Sequence, residues 1–219
     1  MKTSNEWVNI INDSVEKGLR KESKIEDWIF NIKSFSTHEI KCFMNNLCSH
    51  GDINYLEVGA YKGGTACSAV SHNELLTSYI VDNFSEFTID NAREVQPLTE
   101  NLNKISNTTK NITFIDKDCY QITTEEIPEK IDVYFYDGAH EEEDQYKALN
   151  HYLEFMKDTF VFIVDDYNGE EVKVGTKRSL EFLKDKINVE KEWVFETSGN
   201  MQPIWWNGLY IAVISKKTI

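Results

Sequence analysis

Asp137, Asp165 and Asp166 each follow a run that reads as a buried strand: Ile131-Asp132-Val133-Tyr134-Phe135-Tyr136 before the first, and Phe160-Val161-Phe162-Ile163-Val164 before the pair. Neighbouring strands lie ~4.8 Å apart. If these two are parallel neighbours, all three acids emerge at one sheet edge and repel unless a positive charge sits among them. A divalent cation held by oxygen ligands answers that repulsion. His140, three residues beyond Asp137, is near enough to act as a base beside the cation, with an unperturbed pKa near ~6.5. Plainer roles exist for each group. Asp137 could cap the following helix, Asp165-Asp166 could be a turn, and the acidic run Glu141–Asp144 suits a helix N-terminus with no catalytic reason. Convergence of all four groups at one edge favours a functional site.

A second constellation lies in Glu57-Val58-Gly59-Ala60-Tyr61-Lys62-Gly63-Gly64-Thr65. Glycines between a strand and a helix let a ligand approach the backbone, and the helix start offers free N–H groups. The Gly-x-x-x-Gly spacing is neither the Gly-x-Gly-x-x-Gly of dinucleotide sites nor a Walker A loop. Glu57, just before the loop, would repel a pyrophosphate and suit a cationic amino group. Asp82, in Ile80-Val81-Asp82-Asn83, closes the next strand, where an acid commonly accepts hydrogen bonds from ribose hydroxyls. Asp118-Cys119 follows the third strand and by itself reads as a surface turn.

Positioning these groups requires alternating strands and helices. Helix-spaced apolar residues mark Thr3 to Arg20 and Ser36 to His50, with a shorter helix over Ile25 to Ile32. Strands are expected at Tyr55–Val58, Ser78–Val81, Ile112–Ile115 and the two runs above, with helices over Gly64–Ser71, Ile89–Ile105, Glu141–Met156 and Thr176–Lys186. Trp193–Glu196 and Leu209–Ile214 have only a loop between them and so predict an antiparallel hairpin. The expected fold is α/β: a doubly wound (Rossmann-like), mostly parallel seven-stranded sheet with a C-terminal antiparallel hairpin and an N-terminal helical cap. The cap spans residues 1–51 and belongs to the same domain as the sheet, residues 52–219. Tyr167-Asn168-Gly169 and the charged stretch to Lys173 read as a flap over the site, and Trp205-Trp206 as hairpin and core packing that could also approach it.

A chain of 219 residues, 41% hydrophobic, suits one well-buried domain. Its net charge of -14 argues against a nucleic-acid partner and against an anionic membrane surface. Cys42, Cys48, Cys67 and Cys119 show no metal spacing and read as reduced thiols. With no apolar leader and no run near the ~20 residues of a membrane span, a cytoplasmic location is expected. His38, His50, His72 and His151 read as ordinary histidines.

The order of these features resembles the class I S-adenosylmethionine-dependent methyltransferases, over roughly Asn54 to Ile214. Asp137-Gly-Ala-His140, Asp165-Asp166-Tyr167 and Gly175-Thr-Lys-Arg-Ser-Leu-Glu-Phe182 are similar to the magnesium-dependent sugar O-methyltransferases of macrolide and aminocoumarin biosynthesis. The resemblance implies S-adenosylmethionine as cofactor. Glu57 and the Gly59–Gly63 loop with Ala60, Tyr61 and Thr65 would hold its methionine moiety, Asp82 with Asn83 its ribose, and Asp118 with Cys119 would flank its adenine. It implies Asp137, also beside the cofactor, with Asp165 and Asp166 as ligands of magnesium (or manganese), and His140 as catalytic base. The implied substrate is a small molecule or glycan with a sugar hydroxyl. Catechol O-methyltransferases place a lysine where this chain has His140. A catechol-like acceptor is the alternative, and a non-catalytic cofactor-binding module is the alternative of another class. The N-terminal helices are open to two uses, a homo-oligomer contact or a lid.

Overall fold

In a computed structural model, the described residues are 2–85, 88–89, 92–93, 95–106, 111–197 and 204–217. Helices α1 (Ser4–Leu19), α2 (Asp27–Phe30) and α3 (His38–Leu47) open the chain. Thr3 starts α1 with a capping box to Glu6, and the Thr37 hydroxyl accepts from the Ile40 N–H to start α3. There follow β1 (Asn54–Val58), α4 (Gly64–Val70), β2 (Thr77–Val81), the two-residue strands β3 (Thr88–Ile89) and β4 (Ala92–Arg93), α5 (Val95–Ile105) and β5 (Ile112–Ile115). A 3-10 turn at Cys119–Gln121 leads on to β6 (Ile131–Tyr136), α6 (Glu142–Tyr152), β7 (Met156–Asp165), α7 (Glu170–Leu183), β8 (Ile187–Phe195) and β9 (Leu209–Lys216).

The main sheet has the order β5-β2-β1-β6-β7-β9-β8. Its first five strands are parallel, and β9 runs antiparallel between β7 and β8. This is the expected doubly wound sheet with an inserted hairpin strand. Strand order reverses between β1 and β6, so a crevice opens beyond their carboxyl ends. Two hydrophobic clusters cover the two faces. One joins Trp7, Ile11, Ile40 and Phe43 of the N-terminal helices to Val161, Ile163, Ile211 and Val213; the other packs α6 and α7 against Leu56, Tyr134, Phe162 and Tyr210. The N-terminal helices therefore form part of the layer on one face of the sheet. Among the described residues, no helix is long and apolar enough to cross a membrane.

Local boundaries depart from expectation in several places: β7 begins at Met156 instead of Phe160, and β8 at Ile187 instead of Trp193. The helix expected from Ile89 starts at Val95, after the β3–β4 pair, and Pro97 fits its first turn, where no N–H is needed. The flap expected through Lys173 is cut short, because α7 begins at Glu170 with Glu170 and Glu171 in its first turn and Val172 buried. Two acids at a helix start complement its dipole, so the charged stretch opens α7 instead of forming a flap over the site. The Gly175-to-Phe182 motif lies within α7. Gly175 sits where an added Cβ would meet the Glu142 carbonyl oxygen at 2.4 Å, so the motif serves the close crossing of α7 on α6.

Candidate active site

The crevice at the β1/β6 reversal is a cavity of about 720 Å³. Gly59 makes its floor: at φ +85° it lets the turn after β1 press on the turn after β6, and a Cβ there would lie 1.8 Å from the Asp137 carbonyl oxygen. Backbone bonds fix both turns, from Gly59 N–H to Val81 O (2.9 Å) and from Asp137 N–H to Val58 O (2.8 Å). Tyr61, also left-handed at φ +48°, donates its N–H to Asp82 Oδ2 at 2.7 Å, while Asp82 Oδ1 accepts from Phe84 N–H at 2.7 Å. Burial raises the Asp82 pKa against the pull of these donors. At the far end, Asp118 Oδ1 accepts from the Tyr120 N–H (2.9 Å) and starts the turn that presents Cys119 and Tyr120.

Of the residues singled out in the sequence, Gly59, Ala60, Tyr61, Thr65, Asp82, Asn83, Asp118, Cys119, Asp137, His140 and Asp166 line this cavity. Glu57, Gly63 and Asp165 lie behind its wall. Glu57 is fully buried, with Oε1 accepting from the Thr65 hydroxyl (2.5 Å) and Oε2 from the Tyr55 hydroxyl. Burial pushes its pKa up to about 7. In this arrangement Glu57 braces the loop from below, and its contact with a ligand would require Thr65 to move. Gly63 takes φ +80° and caps α4.

The acids regroup relative to expectation. Ligand atoms of Asp137, His140 and Asp166 lie within 4.8 Å of one another, and Asp165 stands outside that group, buried, with Oδ1 accepting from the Asp166 N–H at 3.0 Å. Strand alternation points Asp165 inward at the end of β7, and the left-handed turn at Asp166 (φ +54°) brings the next carboxylate to the cavity. His140 Nε2 pairs with Asp166 Oδ2 at 2.8 Å, which raises the imidazole pKa. Burial, then the charges of Asp165 and Asp166, hold the Asp137 pKa well above the carboxylate range. The Asp137 and Asp166 carboxylates, held this close, offer the oxygen ligands that suit a hard divalent cation, whereas an imidazole is a less typical ligand for magnesium.

A second cavity of about 290 Å³ adjoins the first, and His140, Glu141 and Asp166 line both. Sequence reasoning missed several wall residues: Ser34, Phe35 and Ser36 from the N-terminal segment, and Tyr120 and Tyr136 beneath the Asp118 end. Tyr136 directly precedes Asp137 and Tyr120 directly follows Cys119, so strand-end position could have flagged both. No local pattern marks Phe35. The tryptophans divide. Trp205 is core, stacked on Phe195 at 4.4 Å and edge-on to Phe43 at 6.2 Å, whereas Trp206 faces the large cavity.

Comparison with solved structures finds the same fold at low identity. An O-methyltransferase from Bacillus cereus in complex with S-adenosylhomocysteine superposes with a TM-score of 0.61 at 15% identity, covering 93% of this chain and 91% of that one. A putative O-methyltransferase from Klebsiella pneumoniae gives 0.57 at 15% identity (94% and 90% covered). An S-adenosylhomocysteine-bound methyltransferase from Podospora anserina gives 0.58 at 12% (94% and 88%). No curated protein matches the chain. Residues 56–167, just over half of the chain and including the glycine loop, Asp82, Asp137, His140 and Asp166, match the family described as a methyltransferase domain. The sheet order, the crevice at its reversal and this match agree: the chain belongs to the methyltransferase-domain family, with the class I S-adenosylmethionine-dependent fold.

Proposed function

We propose that the protein moves a methyl group from S-adenosylmethionine to a hydroxyl of a neutral sugar or glycoside, assisted by a divalent cation. The observation that carries this reading is the meeting of Asp137, Asp166 and His140 at the seam between two cavities. The larger has the size of a small-molecule site. Gly59 lines it, and Asp82 and Asp118 offer acceptors for donor hydroxyl or amino groups. When bound, S-adenosylmethionine supplies an electrophilic methyl group, and magnesium or manganese held by Asp137 and Asp166 supplies positive charge that acidifies a nearby hydroxyl. Asp165 stands behind, its Oδ1 holding the Asp166 N–H. With Asp166 engaged by the cation, His140 Nε2 would be released from its bond to Asp166 Oδ2 and take the hydroxyl proton. Its raised pKa makes it a stronger base, whose free fraction grows as pH rises.

The smaller cavity suits the acceptor. Its lining includes Glu141, Asp166, Glu170 and Glu171 and, among the described residues, no lysine or arginine. Phosphorylated or carboxylated acceptors would be repelled, and a neutral polyol would not. The Asp137-Gly-Ala-His140 and Asp165-Asp166-Tyr167 motifs support a sugar. A second reading, a phenolic acceptor, gains from the Gly175-to-Phe182 motif, part of the resemblance to the sugar enzymes, lining neither cavity.

The test uses methyl-labelled S-adenosylmethionine with neutral sugars, glycosides and catechols, with magnesium or with a chelator. Sugar methylation should require the metal, and His140→Gln should lower it by roughly 10²-fold or more. Turnover unchanged by chelator and by that substitution would refute the mechanism. Labelling confined to catechols would select the phenolic reading.

A further inference from the structure

Three remote pieces of chain meet on the wall of the large cavity. Phe35, from the segment between α2 and α3, stacks on Tyr61 of the glycine loop (centroids 5.4 Å apart, planes at 15°) and tilts against Trp206 (6.3 Å, 44°). All three line the cavity. Phe35 is 54% exposed, so its ring is not a core residue: one side meets the cavity and its aromatic neighbours while much of the rest meets water.

Both sides of this bridge are held. On the N-terminal side, buried Lys41 donates from Nζ to the carbonyls of Ile29 (3.1 Å) and Ile32 (3.4 Å), fixing the turn that leads to Ser34. Ser34 lies against Gly64 so closely that a Cβ there would meet its Oγ at 2.1 Å. On the hairpin side, Trp206 takes φ +38°, which is rare for a bulky side chain. It is kept there by Thr197 Oγ1 donating to its carbonyl (3.1 Å), by Asn168 N–H donating to Asn207 O (2.8 Å) and by the burial of Trp205. The Thr37 hydroxyl donates to Ile204 O at 2.5 Å and ties the two sides together. Several contacts thus aim two aromatic rings at each other on the wall of a cavity, where Phe35 stands outside the core and Trp206 sits partly buried at its edge.

We propose that Phe35, closed against Trp206 and Tyr61, roofs the methyl-donor cavity, so that the donor and its demethylated product enter and leave by parting Phe35 from Trp206. This rests on the reading of the large cavity as the S-adenosyl site, and it gives the N-terminal segment a binding role. Phe35 and Trp206 act by covering the ligand, and Lys41 and Thr37 position the cover.

Release of labelled S-adenosylhomocysteine from the full chain, chased with unlabelled ligand, tests this. Phe35→Ala should speed release by about tenfold, Trp206→Phe by less, and Phe35→Trp should stay near the unaltered rate. The thermal midpoint of Phe35→Ala should barely move, because the ring is half in water. Release by Phe35→Ala within about twofold of the unaltered protein, or equal acceleration by Phe35→Trp, would overturn the roof. Failure of the unaltered protein to bind S-adenosylhomocysteine at all would instead sink the donor reading and the roof with it.

Discussion

Gly59→Ala places one methyl group at the point where the site is built. The new Cβ would lie 1.8 Å from the Asp137 carbonyl oxygen, 2.4 Å from its carbon and 2.8 Å from the Gly138 nitrogen. Real Cβ contacts do not fall below 3.0 Å, so the turns after β1 and β6 must part by about 1 Å. Hydrogen bonds on both sides oppose that movement. The left-handed backbone costs an L-residue about 1 kcal/mol, forced overpacking about 1–3, and loss of the Asp137–Val58 bond about 1. The expected loss is therefore about 3–5 kcal/mol, read from urea unfolding. Since Asp137 itself moves, S-adenosylhomocysteine affinity measured by calorimetry should fall by roughly 10²-fold, in line with the sensitivity of sites to ångström displacements. Gly51→Ala is the control: φ is +59° there with nothing within 4 Å, so only the backbone cost of about 1 kcal/mol applies. Equal losses for the two variants, with ligand binding intact in both, would refute the close approach as the reason for glycine.

Two other perturbations test the wall and its support. The folded Glu57 pKa of about 7 stands above the ordinary 4.5, so between those values the folded state holds a proton that the unfolded state has released. Stability should therefore fall as pH rises through that window, by up to about 3 kcal/mol, and Glu57→Gln should flatten the slope in midpoint-against-pH measurements. Trp205→Ala removes a buried ring stacked on Phe195 and should cost about 3–5 kcal/mol in chemical unfolding.

The strands, the sheet class, the glycine loop and the edge at which the acids gather were legible in the sequence, because buried strands and strand-end polar residues are written in local patterns of two to ten residues. Which of two adjacent acids faces the cavity was not legible. Alternation turns Asp165 inward, and the choice rests on the left-handed turn at Asp166, which no neighbouring glycine announces. Glu57 looked like a ligand group by position, and the structure surrounds it with Tyr55 and Thr65 hydroxyls from the same stretch. Phe35 carried no signal, since its partners Tyr61 and Trp206 are distant in the chain. Trp205 and Trp206 are identical in type and adjacent, yet one fills the core and the other faces the cavity. Residue type and spacing alone determined the class of fold, and the family resemblance they carry pointed to a methyltransferase. Only tertiary packing decided which atoms meet, because contacts between remote segments depend on how helices and turns close over the sheet, and no local periodicity encodes that closure.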